Sequence, residues 1–143
     1  MQNLVQELAK IVGPEFVTDD YWIRWSYSMD SSMFELLDPR LPAIIVRPGS
    51  IEELQEIVRL ANKTKTPIYV RGGGTSCAGT RGTRIHESIL IDMTRLDKIV
   101  EIDEESLTVT AEAGITWGKL NAELEKRGWR LGVKGPYSGY AAC

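Results

Sequence analysis

Pro67-Ile68-Tyr69-Val70-Arg71-Gly72-Gly73-Gly74-Thr75-Ser76-Cys77-Ala78-Gly79 is a short apolar run that breaks into three consecutive glycines. The run Pro67 to Val70 reads as a buried strand, with the glycines at its carboxyl end. Glycine reaches positive φ without a Cβ clash, so several backbone N–H groups of such a loop can converge on one anion. Thr75 and Ser76 add hydroxyl donors beside them. A phosphate or pyrophosphate suits that arrangement, and so does a plain tight turn; the residues alone leave both readings open. Two familiar phosphate motifs fail on spacing. Gly74 to Gly79 has the P-loop gap, but Thr80-Arg81 stands where Lys-Ser/Thr is needed. Gly72, Gly74 and Cys77 do not complete a dinucleotide fingerprint, and no helical period follows.

Working backwards, Ala43-Ile44-Ile45-Val46 is an apolar strand and Pro48-Gly49 a turn. Ser50-Ile51-Glu52-Glu53 is a capping box, in which Ser50 and Glu53 are expected to bond each other's backbone amides. Ile51, Leu54, Ile57, Val58 and Ala61 then line one helical face to about residue 64. Strand, helix and strand make a β-α-β unit with its two strands parallel in one sheet. The glycine loop therefore falls at the carboxyl end of a parallel strand, where open α/β sheets bind ligands. Further upstream, Leu4, Val5, Leu8, Ile11 and Val12 predict a helix over 3–12, stopped by Gly13-Pro14. Residues 18–38 show no period, and Tyr21, Trp22, Trp25 and Tyr27 read as core or packing surface rather than a ligand cage.

Downstream, Ser88-Ile89-Leu90-Ile91-Asp92 is a strand. Residues 96–103 and 107–112 alternate around Glu104-Glu105-Ser106 as an antiparallel hairpin. Ala113-Gly114 breaks the second strand. Thr116 is the expected N-cap of a helix that turns Trp117, Leu120 and Leu124 inward and ends at Gly128. The organisation is an α+β fold in three parts: a lead-in over 1–40, a β-α-β subdomain over 41–85, and the start of a second, antiparallel-strand subdomain with helices over 86–143.

Composition excludes several classes. With 43% hydrophobic and 26% charged residues the chain reads as an ordinary globular domain. A net charge of −3 without a basic patch argues against nucleic acid. No apolar run reaches the length of a membrane span and no signal peptide opens the chain, so a cytoplasmic location is expected. Cys77, Cys143 and His86 offer no metal-ligand spacing.

These features in this order resemble the FAD-binding domain of the vanillyl-alcohol oxidase/PCMH flavoprotein superfamily, nearest to its glycolate oxidase and D-lactate dehydrogenase branch. The resemblance rests on residues 43–54, on Val70 to Ser76, on Ile91-Asp92-Met93-Thr94-Arg95-Leu96-Asp97-Lys98-Ile99, on residues 109–115, and on the lead-in Tyr27-Ser28-Met29-Asp30-Ser31-Ser32. It implies a PCMH-type fold whose loop from Gly72 through Gly73, Gly74 and Thr75 to Ser76 cradles the FAD pyrophosphate, with Gly79 continuing the wall. Arg71 would offset phosphate charge or anchor the loop to a carboxylate, the structural role being favoured. Cys77 is read as a small buried filler, and His86 receives no catalytic role.

The departures from the family pattern matter as much. Some relatives carry a flavin-linked histidine where Thr75 stands, so FAD should be non-covalent here. Pro136 and Ser138 would open the family's second cofactor loop, and the chain stops at Cys143 before the paired glycines that follow in the family. The resemblance thus implies an incomplete domain with no catalytic residue of its own. The expected function is the FAD-binding portion of a flavin-dependent 2-hydroxy acid oxidoreductase, completed by a second polypeptide or by self-association. The alternatives are a non-catalytic flavin- or nucleotide-binding module and a truncated product without independent function.

Overall fold

The computed structural model describes residues 2–28, 41–75 and 87–132. The expected positions Ser76, Gly79, Pro136 and Ser138, with Cys77, His86 and Cys143, lie outside them. Helix α1 spans Gln2–Val12 and buries Leu8 and Val12. Gly13, at φ 93°, ends it, and Pro14–Phe16 forms a single 3-10 turn. Strand β1 (Val17–Thr18), helix α2 (Tyr21–Tyr27), strand β2 (Ile44–Val46), helix α3 (Ile51–Thr64) and strands β3 (Ile68–Arg71) and β4 (Ile89–Asp92) follow. The hairpin β5 (Ile99–Asp103) and β6 (Thr108–Ala111) and helix α4 (Trp117–Glu125) complete the described chain.

The first sheet runs β1-β2-β4-β3. β2 and β3 are both parallel to β4, and β1 pairs antiparallel with β2. The β-α-β unit is therefore present, but its two strands are neighbours of β4 rather than of each other. Sequence texture groups β4 with the second unit, yet Ile89, Leu90 and Ile91 form the fully buried centre of the first sheet. An apolar run carries no information about its pairing partner, which explains the difference. Burial also differs for β3. It is the edge of the described sheet, and Val70 is 56% exposed.

One core cluster holds Leu8 and Val12 of α1, Ile44 and Val46 of β2, Ile57 and Ala61 of α3, and Ile89 and Ile91 of β4. Of the expected α3 stripe, Leu54, Ile57 and Ala61 face this core, whereas Ile51 and Val58 are exposed. The cap of α3 is reached in a modified way. Ser50 Oγ accepts from Glu53 N at 3.2 Å, but Glu53 Oε2 accepts from Gly49 N at 2.7 Å, one residue beyond Ser50. A second cluster, Ile115, Leu120 and Leu124, packs under the hairpin. Thr116 caps α4 as expected, its Oγ1 accepting from Lys119 N. Trp117 is only partly buried, and Asn121 takes an inward position instead.

The region 18–38 also contains a helix that apolar periodicity does not show. Asp20 Oδ1 accepts from Trp22 N and Ile23 N at 2.9 and 3.1 Å, so a carboxylate cap initiates α2. Tyr21, Trp22, Ile23 and Trp25 are exposed, Trp22 by 72%, which places them outside the core.

The two units meet at Gly114. Its N–H donates to Leu96 O at 2.8 Å. A Cβ built there would overlap the Met93 carbonyl oxygen and lie 2.7 Å from Leu96 O. Both obstacles are backbone and cannot swing away. Gly114→Ala should therefore cost at least ~2 kcal/mol of stability, as overpacking against a fixed wall does. A urea midpoint lowered at unchanged slope is the expected reading, and an unchanged midpoint would show that the junction relaxes freely.

Candidate functional site

Three strand ends build the site. β2 is followed by Arg47, β3 ends in Arg71 and runs into Gly72-Gly73, and β4 ends in Asp92, two residues before Thr94. Because β2, β3 and β4 are parallel, all three deliver polar groups to the same carboxyl edge. The last turn of α2 adds Ser26 and Tyr27. These eight residues line an open cleft of about 400 Å3.

Asp92 is the most buried charge in the cleft, at 3% exposure. Its Oδ2 accepts from the Tyr27 hydroxyl at 2.6 Å and its Oδ1 from Thr94 N at 2.8 Å. Arg47 Nε stands 3.5 Å from Oδ2. That nitrogen is buried and has no hydrogen-bond partner among the described residues, so it attracts Asp92 electrostatically without hydrogen bonding. Arg71 is held from two sides. Its Nη1 donates to the Tyr27 carbonyl at 2.7 Å, and its Cζ lies 5.3 Å from the Tyr27 ring centroid. Gly74, at φ 67°, crosses over the same guanidinium, where a Cβ would come within 2.5 Å of Arg71 Cζ.

Of the residues the sequence singles out, Arg71, Gly72 and Gly73 line the cleft, and Gly74 and Thr75 continue the loop beside it. Among the described residues Arg71 contacts the Tyr27 carbonyl and ring. Sequence reasoning did not single out Ser26, Tyr27, Arg47, Asp92 and Thr94. A signal existed for two of them, since Arg47 follows β2 directly and Asp92 ends β4, so both put a charge at the carboxyl end of an apolar strand. Tyr27 carried none beyond its place in the lead-in that bears the resemblance, because its cleft role depends on a helix without apolar periodicity.

Chemically the cleft offers two guanidinium groups and the backbone of two glycines. Asp92, the carboxylate among its described lining residues, accepts from Tyr27 and Thr94. That donor set suits an anion such as a pyrophosphate. A larger open cleft of about 820 Å3 lies at the opposite edge of the sheet, between α1 and the end of α3. It sits at the amino ends of β3 and β4, where parallel sheets do not gather ligand-binding loops. Among the described residues no group of three His, Cys, Asp or Glu is placed to hold a metal, and no helix is long and apolar enough to cross a membrane.

Residues 42–143 match the model of a family described as FAD binding domain. The chain is 31% identical over 138 residues to an alkyldihydroxyacetonephosphate synthase of Dictyostelium discoideum, covering 91% of this chain and 23% of the relative. It is 28% identical over 131 residues to the glycolate oxidase protein GlcD of Bacillus subtilis, covering 89% and 26%. Among solved structures, p-cresol methylhydroxylase superposes with a TM-score of 0.78 at 19% identity, over 89% of this chain and 25% of that one. The PCMH-type fold expected from the sequence is thus present, and the chain spans about a quarter of the length of these relatives.

Tyr27 gives the site a pH signature. Burial, and then its hydrogen bond to Asp92, push its phenol up from 10.0 to about 12. A phenol whose folded pKa exceeds the unfolded one stabilises the fold below about pH 10, and that contribution fades as the pH climbs through 12. The residue is only partly buried, so solvent screening leaves about 1 kcal/mol. An absorbance titration at alkaline pH should show a tyrosine component near pH 12, and Tyr27→Phe should remove that component. A Tyr27→Phe variant that instead loses amplitude near pH 10 would mean that the bond to Asp92 does not form in solution.

Proposed function

Because the chain belongs to the FAD binding domain family, with FAD as its cofactor, we propose that it holds the FAD pyrophosphate at the carboxyl edge of β2, β4 and β3, within a flavin-dependent oxidoreductase of 2-hydroxy acids. The observation that carries the reading is the convergence of Arg47, Arg71, Gly72 and Gly73 on one cleft. Arg47 and Arg71 bring two guanidinium groups to the edge where the glycine backbone is also presented, a donor set that suits a diphosphate. Gly74 and Thr75 continue the loop beside the cleft, and the resemblance assigns Ser76 and Gly79 to the same cradle and Pro136 and Ser138 to the family's second cofactor loop, all four outside the described residues. Thr75 has no nucleophilic nitrogen, so the cofactor is held non-covalently.

FAD, when bound, supplies the hydride acceptor for oxidation at the α-carbon of the substrate. The chain's own part is binding and orientation. Asp92 is committed to Tyr27 and Thr94, and Tyr27 ionises too high to act as a base near neutral pH. In this reading a second polypeptide, or self-association, completes the site. The 2-hydroxy acid assignment draws on the glycolate oxidase relative. A second reading, an alkyldihydroxyacetonephosphate synthase, draws on the 31% identity to that enzyme. Both share the same cofactor cleft.

Titration of the purified chain with FAD, followed by flavin fluorescence and by melting, tests the proposal. Saturable binding that raises the melting temperature is expected, weakened at least about tenfold by Gly73→Asp, whose carboxylate would repel the phosphates. Equal affinity of parent and Gly73→Asp, or no binding up to near-millimolar FAD, would remove the loop as a cofactor site in this chain.

A further inference from the structure

The family match begins at residue 42, yet the glycine loop leans on a residue fifteen positions earlier. Tyr27 touches the loop's anchor at two points and the central strand at a third. Its carbonyl accepts from Arg71 Nη1 at 2.7 Å, its ring faces the Arg71 guanidinium at 5.3 Å, and its hydroxyl donates to Asp92 at 2.6 Å. Gly74 lies directly on that guanidinium, at a positive φ that only glycine adopts without strain. The route from Tyr27 to the loop therefore runs through one rigid, planar group. Displacing Arg71 would remove the floor beneath Gly74.

We infer that Tyr27 is a positioning residue, clamping the Arg71 guanidinium so that the Gly72–Thr75 loop is preset before any ligand arrives. The end of α2 is then part of the cofactor site, although it lies outside the matched domain. The value of this clamp for FAD rests on the function proposed above; its existence does not. Pre-organisation is what a phosphate cradle needs, since a loop ordered only on binding would lose affinity to its own entropy. Asp92 fixes the clamp from behind. Its carboxylate orients the phenol, and its place on the central strand makes it immobile. The carbonyl contact depends on the final turn of α2 staying folded, which Asp20 secures at the other end.

Trypsin reads the clamp directly, because cleavage after Arg71 requires its side chain to leave Tyr27 and extend into the protease. In the parent chain the Arg71–Gly72 bond should be cut slowly. Tyr27→Ala, which keeps the backbone carbonyl but removes the ring and its phenol bond to Asp92, should speed it about tenfold, and Tyr27→Phe, which keeps the ring, about twofold. Cleavage at Arg59, in the middle of α3, serves as the internal control for general loosening. Acceleration confined to Arg71–Gly72 supports the clamp. Parent and Tyr27→Ala cut alike at Arg71, or a rise matched at Arg59, would overturn it. FAD titration of the same three proteins separates the two ideas. Failure of the parent to bind FAD would count against the proposed function alone, while acceleration confined to Arg71–Gly72 in Tyr27→Ala would still establish the clamp.

Discussion

A carboxylate at the end of the central strand governs the edge of the sheet where the site lies. Asp92 is nearly inaccessible, and an ionised acid in that position is tolerable only when its oxygens are satisfied. Each of its partners is also a structural decision. The Tyr27 phenol docks α2 onto the sheet, Thr94 N turns the chain out of β4, and the charge of Arg47 is drawn to the end of β2. Because β4 lies between β2 and β3, one side chain can organise three strand exits at once.

The arginines divide their work by position. Arg95 is committed inside the scaffold. Its Nη1 donates to Arg47 O at 2.6 Å, its Cζ lies 3.4 Å from the Phe16 ring centroid, and it pairs loosely with Glu53 at 3.9 Å. It also fills the space against Gly49, so the turn from β2 into α3 is built around a cation. Arg47 and Arg71 instead face the cleft. Glu53 supports the first group by capping α3 through Gly49 N, which explains why the capping box is shifted by one residue. Glu53 lies with Arg95 in the scaffold and is not among the residues that line the cleft.

Much of this was legible in the sequence, for identifiable reasons. α3 announced itself through a cap and a 3.6-residue stripe, and β5–β6 through alternation around a polar turn. Asp103 accepts there from Glu105 N and Ser106 N at 3.0 Å each. The loop at Gly72–Thr75 was visible because three glycines leave few alternatives. α2 was not visible, since its apolar residues face outward and its only signal, Asp20, precedes a run of aromatics without period. The strand order escaped too. Ile89-Leu90-Ile91 reads as a buried strand in any neighbourhood, and only pairing energy decides which one. The cleft residues Arg47 and Asp92 were each in plain view, but their meeting depends on that strand order.

The insertion of β4 has a further consequence, for the moment of synthesis. β2 can pair with β1 as soon as both have emerged, since the two are close in the chain. β3 has no such option, because among the described strands its hydrogen-bonding neighbour is β4, which arrives about twenty residues later. Until Asp92 leaves the ribosome, β2 and β3 both present open backbone edges, and the apolar face of α3 has only half a sheet to cover. Such edges are the surfaces on which nascent chains associate wrongly. The interval between residues 71 and 92 is therefore the part of translation in which this domain most needs chaperone protection.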